Sequence, residues 1–95
     1  MLNLPELVRI YVCLAPTDMR KSFDSLVALV RDGLGYDPLS GHLFVFRSRR
    51  GDRIKLLWWD RDGLTLYYRR LEEGTFRFPT THDPDARSIE VSSQE

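Results

Sequence analysis

The sequence predicts an α+β fold: one helix packed on a small antiparallel sheet, in the order β-α-β-β-β with a fifth edge strand. Three observations carry this expectation. A single stretch has helical periodicity, the apolar period changes to two at Leu43, and turn sequences rich in Gly and Asp divide residues 43–79 into short segments. The chain has 95 residues, enough for one domain near the lower end of what buries a useful core. With 42% hydrophobic, 29% charged and 12% aromatic residues, its composition is that of an ordinary globular domain.

The first strand is expected at Val8–Leu14, which is rich in β-branched and aromatic residues and is broken by Ala15-Pro16-Thr17. Cys13, the only cysteine, lies in this apolar run and is read as a buried strand residue, not a nucleophile. Met19, Phe23, Leu26, Val27, Val30 and Leu34 then line one stripe of a helix from about Asp18 to Gly33. Thr17 or Asp18 would serve as its N-cap, and Gly33 or Gly35 would close it.

In the second strand Leu43 and Val45 share one face and Phe44 and Phe46 the other, so both faces are apolar and the strand is expected to be central. The third strand places Ile54, Leu56 and Trp58 on one side, expected as core. Arg53, Lys55, Leu57 and Trp59 fall on the other, expected as a basic and aromatic outer face. Asp60-Arg61-Asp62-Gly63 is a hairpin turn into a fourth strand, Leu64–Arg70. Thr75–Phe78 is the expected fifth, edge strand, ending at Pro79. Residues 1–79 thus form a single domain, and residues 80–95, rich in Thr, Asp, Pro and Ser, are expected as a flexible linker or tail.

The charge is segregated although the chain as a whole is neutral. Residues 42–79 hold nine Lys or Arg against five acids, while both flanking segments are net acidic. Arg47, Arg49, Arg50 and Arg53 surround one turn, with Lys55 and Arg69 on adjoining strands, and guanidinium clusters of this kind suit bidentate phosphate recognition. These six are the candidate nucleic-acid contacts. Trp59 and Tyr67, with Arg20 and Lys21, are the candidate anchors for a protein partner. The blander alternative is a solvated basic face with ion pairs to Asp52, Asp60 and Glu72.

Catalytic readings fare worse. Asp60 and Asp62 could suggest a Mg²⁺ site, but an Asp-x-Asp-Gly sequence between strands is explained by turn geometry. His42 and His82 have no pattern of an activated nucleophile, zinc would need ligands at odd spacings, and no glycine-rich phosphate loop precedes the helix. No catalytic residue, metal or cofactor is expected. No apolar run approaches the ~18–20 residues of a membrane span, and the N-terminus lacks a signal-like pattern, so a cytoplasmic protein without membrane contact is expected.

Four segments carry a family resemblance. Thr17-Asp18-Met19-Arg20-Lys21-Ser22-Phe23-Asp24 is followed by Ser40-Gly41-His42-Leu43-Phe44-Val45-Phe46, Arg50-Gly51-Asp52-Arg53-Ile54-Lys55 and Trp59-Asp60-Arg61-Asp62-Gly63. Together, from about Arg9 to Pro79, they resemble the TnpB-type second-open-reading-frame proteins of the insertion-sequence-sixty-six group of bacterial transposable elements. The resemblance implies a non-catalytic accessory protein for DNA transposition, distinct from the transposase that carries the catalytic acids. Its implied partners are the element-encoded transposase, transposon DNA, or both, and an exposed sheet face would also suit a homodimer. Ser25 stands where a glycine is common in the family. The family commonly continues into a leucine-rich helix, whereas here a capping-box spacing at Ser92 and Glu95 ends the chain, so truncation before that helix and a disordered or extended Val91–Glu95 are expected.

Overall fold

A computed structural model describes residues 8–92. It shows an α+β fold with strands β1 (Ile10–Cys13), β2 (Leu43–Arg47), β3 (Arg53–Asp60), β4 (Gly63–Arg70) and β5 (Ser88–Val91). One helical element, α1, begins at Phe23–Ala28 and continues as a wide π-helical extension over Leu29–Leu34. The sheet order is β4-β3-β2-β1-β5, so β2 is central, as its two apolar faces require.

The sheet is mixed. β1 and β2 run parallel, and the remaining neighbours are antiparallel. A parallel pair needs a long crossover, and residues 14–42, including α1, supply it. The expected fifth strand at Thr75–Phe78 is replaced by β5, which lies in the expected tail and pairs with β1 from Ile10↔Val91 to Cys13↔Ser88. Arg87 fixes this segment from the other side, since its guanidinium donates to the Gly33 carbonyl at 2.7 Å at the C-terminal end of α1. The Ser92–Glu95 capping-box expectation lies largely outside the described residues.

Pleat alternation and register define the two faces. Tyr11, Phe44, Leu57 and Leu66 stand side by side in one row across four strands. This row meets Leu26 and Val30 of α1, and Phe44, Phe46, Leu57, Leu26 and Val30 are the largest fully buried side chains. Tyr36 stacks on Tyr11 with ring centroids 4.1 Å apart and extends the core past the helix. The opposite row, Val12, Val45, Leu56 and Tyr67, faces away from α1. The expected sides of β3 are therefore reversed: Leu57 is core, and Ile54, Leu56 and Trp58 lie on the face without the helix. The hydrophobic stripe of α1 selects the phenylalanine face of β2, and pairing then commits β3.

The helix starts later than its periodicity suggests. Ser22 is the N-cap, and its N–H donates to Ser25 Oγ at 3.0 Å, so the serine at this position takes part in capping. Thr17 instead docks on the sheet, its amide donating to the Arg47 carbonyl at 2.8 Å, and Asp18 organises a turn with Arg20. Met19 packs on the core from that turn, while Phe23 is 42% exposed. At the far end Gly35 takes φ 78°, a left-handed conformation that ends the helix. Among the described residues no helix is long and apolar enough to cross a membrane.

Candidate functional site

The basic site is built on the turn between β2 and β3. Residues Ser48–Gly51 form a four-residue turn in which the Gly51 amide donates to the Ser48 carbonyl at 3.1 Å, and the Ser48 amide donates to the Arg53 carbonyl at 3.0 Å. Ser48 is buried, and its hydroxyl both accepts from the Arg53 amide (3.1 Å) and donates to Asp52 Oδ1 (3.2 Å). Gly51 has φ 78°, and its carbonyl accepts the Phe76 amide at 2.8 Å. A small polar residue and a left-handed glycine thus brace the turn from inside. Arg49 and Arg50, the two residues between them, are exposed, and neither side chain has an ion-pair or hydrogen-bond partner among the described residues.

Arg53 continues this basic surface on the helix side of the sheet. Its guanidinium donates to the Tyr68 hydroxyl at 3.0 Å. It borders two shallow hollows, one of about 260 Å³ shared with Arg49, Arg50 and Asp52, the other of about 320 Å³ shared with Tyr68, Arg70 and Glu72. Arg49, Arg50, Arg53 and Arg70 therefore form a continuous strip at one end of the sheet. Arg70 is tied to Glu72 at 2.9 Å, so the strip carries its free positive charge at the turn.

The other candidate contacts lie elsewhere. Arg47 points to the opposite face, where its guanidinium donates to the Leu14 carbonyl at 2.7 Å and lies 5.6 Å from the centre of the Phe78 ring. Lys55 is buried in the row between Phe46 and Tyr68. Its ammonium donates to the Lys21 carbonyl at 2.6 Å and sits over the Tyr68 ring at 4.7 Å, so it holds the pre-helix loop on the sheet and is not an exposed contact. Arg69 is exposed at the same end of the sheet, but on the Ile54 side.

The proposed protein-partner anchors also separate. Trp59 pairs with Leu64 on the helix side and is half-buried, whereas Tyr67 pairs with Leu56 on the other face and is 42% exposed. Arg20 closes on Asp18 with contacts of 2.7–3.1 Å, and this hydrogen bonding holds the Asp18 carboxyl down at about 2. Lys21 contributes its carbonyl to the buried lysine.

Tyr68 and Arg70 are not among the candidate contacts expected from sequence, yet a signal for them exists. The Asp60↔Gly63 closure sets the β3–β4 register, which places Lys55 opposite Tyr68 and Arg53 opposite Arg70. The hairpin closes tightly, with the Asp62 amide donating to the Asp60 carbonyl at 2.6 Å. Among the described residues no group of three or more His, Cys, Asp or Glu is placed to hold a metal ion. Cys13 is buried, and burial pushes its thiol pKa up, away from nucleophilic reactivity.

The face without the helix carries a second feature. Residues 76–79 cross it and leave an apolar groove of about 520 Å³ lined by Val12, Val45, Ile54, Leu56, Phe76 and Phe78, among others.

Comparison with known proteins places this arrangement. Residues 8–95 match the family model described as IS66 Orf2 like protein. The chain is 43% identical over 76 residues to the uncharacterized protein y4jC of Sinorhizobium fredii (strain NBRC 101917 / NGR234), covering 80% of this chain and 65% of that protein. It is 41% identical over 80 residues to the uncharacterized protein y4hO of the same strain, covering 84% and 70% respectively. The chain thus spans about two thirds of the length of these relatives. No solved structure matches. The family match over nearly the whole chain, with relatives above 40% identity, establishes that the chain belongs to the IS66 Orf2-like family, whose role is associated with transposition.

Proposed function

We propose that the protein is a non-catalytic accessory factor of transposition that contacts DNA phosphates through the β2–β3 turn. The observation that carries this reading is the pair Arg49 and Arg50, displayed without side-chain partners among the described residues on a turn braced by Ser48 and Gly51, with Arg53 continuing the surface. A rigid turn lowers the entropy cost of presenting two guanidinium groups, and each suits a phosphate oxygen pair. The contact is one of charge, not base readout, so binding should be sequence-tolerant and strongly salt-dependent. Measuring duplex affinity across a salt series tests this. The double variant Arg49→Ala/Arg50→Ala should lower the slope of log affinity against log salt by about two. An unchanged slope would remove this surface from consideration.

A second reading is favoured by the apolar groove on the helix-free face. Exposed apolar surface of this kind suits a protein partner, and in a mobile element the transposase is the natural candidate. Copurification with the transposase in nuclease-treated extract, lost on Leu56→Lys but kept in Arg49→Ala/Arg50→Ala, would favour an adaptor over a DNA-contacting factor.

A further inference from the structure

β4 is an edge strand eight residues long, and no described strand pairs with its outer side. Long, uninterrupted edges are templates for strand addition. We infer that this edge pairs antiparallel with β4 of a second copy, in the register that sets Asp62 of one copy opposite Arg70 of the other. The inference stands independently of any contact with DNA.

The direction of the backbone groups comes first. In an antiparallel ladder, alternate residues aim their amide and carbonyl at the same neighbour. The Leu71 amide donates to the Asp52 carbonyl at 2.8 Å, and the two-residue loop closes at Asp60↔Gly63, so the odd-numbered residues of β4 bond to β3. The amides and carbonyls of Leu64, Leu66, Tyr68 and Arg70 then point outward. Only even-to-even pairing lets two such edges exchange hydrogen bonds.

Charge selects among the remaining registers. Just before the strand stands Asp62, beside Arg61 in the two-residue loop, and the strand is basic at its end, at Arg69 and Arg70. Parallel pairing in register would stack the arginines on their own counterparts, which is repulsive. Antiparallel pairing centred on Leu66 places Leu64 against Tyr68, Thr65 against Tyr67, and Asp62 against Arg70, with Arg69 opposite Gly63. Shifting the centre to Thr65 brings Arg61 against Arg69, and shifting it to Tyr67 leaves Arg70 against Leu64. The Leu66 register alone satisfies both termini. Glu72 occupies the Nε and one terminal nitrogen of Arg70, which leaves the other terminal nitrogen available for Asp62 of the second copy.

An edge-to-edge contact of this length is small compared with a standard interface, so the dimer should be concentration-dependent, with dissociation on the order of micromolar. Sedimentation equilibrium on the full chain in low-salt buffer reads this directly. Asp62→Arg and Arg70→Asp should each weaken dimerisation by about tenfold, and the double exchange should restore it to within about threefold. A wild-type chain that stays monomeric throughout, or a dimer indifferent to both single exchanges, overturns the proposal. Amide hydrogen exchange on the unmodified chain provides a test that needs no variant. Protection at Leu66 and Tyr68 should rise with protein concentration while Tyr67 and Arg69 stay protected throughout. Equal exchange at Leu66 and Tyr68 at low and high concentration would equally overturn the pairing.

Discussion

The turn that enters β3 and the turn that leaves it differ in both backbone and charge. The entering turn, Ser48–Gly51, has its positive φ on a glycine, its interior filled by a buried serine, and its exterior held by the Phe76 amide. The leaving turn, Asp60–Gly63, has its positive φ on Arg61, at 58°, and glycine stands two positions later in an ordinary conformation. The first displays two arginines, unpaired among the described residues, on a braced base. The second alternates Asp, Arg and Asp, so its charges offset one another. An arginine-rich loop is therefore a better candidate for phosphate contact when its own backbone needs neither strain nor side-chain ion pairs to hold its shape.

Substitutions that reverse this difference should show it in stability. The largest effect is expected for Gly51→Ala, which forces a side chain into the left-handed region. Its added Cβ would meet Thr75 only at ordinary van der Waals distance, so the cost, about 1–2 kcal/mol, is almost wholly conformational. Urea denaturation should show it as a lower midpoint with an unchanged m-value. Ser48→Ala should cost about 1 kcal/mol by leaving the Arg53 amide without its hydroxyl partner, and should speed amide exchange at Arg53. In the leaving turn the sign inverts: Arg61→Gly relieves the positive φ and should raise stability by about 0.5 kcal/mol, net of the entropy glycine adds to the unfolded chain.

The smallest effect is one of pH. Asp18 borders a hollow beside Arg49 but gives its hydrogen bonds to Arg20, which depresses its folded carboxyl to about 2. A depressed carboxyl pKa contributes stability that is fully present above the unfolded carboxyl value. That contribution is lost as pH falls through about 2. NMR titration should find the Asp18 carboxyl midpoint near 2, and Arg20→Ala should return it toward the ordinary carboxylate range.

Much of the fold was legible in local pattern. The stripe through Leu26, Val30 and Leu34, the central β2 and the β3–β4 hairpin follow from periods and turn residues that act over a few positions. β3 was harder because both its faces carry apolar side chains, and only the side chosen by α1 decides that Leu57 goes inside with Lys55 beside it. A lysine in such a row reads as surface until a carbonyl and an aromatic ring are brought to it by residues 34 and 13 positions away. β5 falls outside such patterns because Ser88–Val91 is only four residues long, with Ile89 and Val91 its two apolar members, and its stability comes from pairing with β1 and from Arg87 on the helix end. Of the six candidate phosphate contacts, local charge density grouped Arg47, Arg49, Arg50 and Arg53 around one turn, although only Arg49, Arg50 and Arg53 share one surface. It could not separate them from Arg47, Lys55 and Arg69, whose directions depend on the pleat and on long-range partners.

The proposed phosphate contact belongs to the entering turn and not to basic charge in general. The most direct measurement compares the salt dependence of duplex DNA affinity for the unmodified chain, Arg49→Ala/Arg50→Ala and Arg61→Ala. The slope should fall by about two for the double variant and stay unchanged for Arg61→Ala. Equal losses per arginine removed in both variants, or no loss in either, would contradict the account.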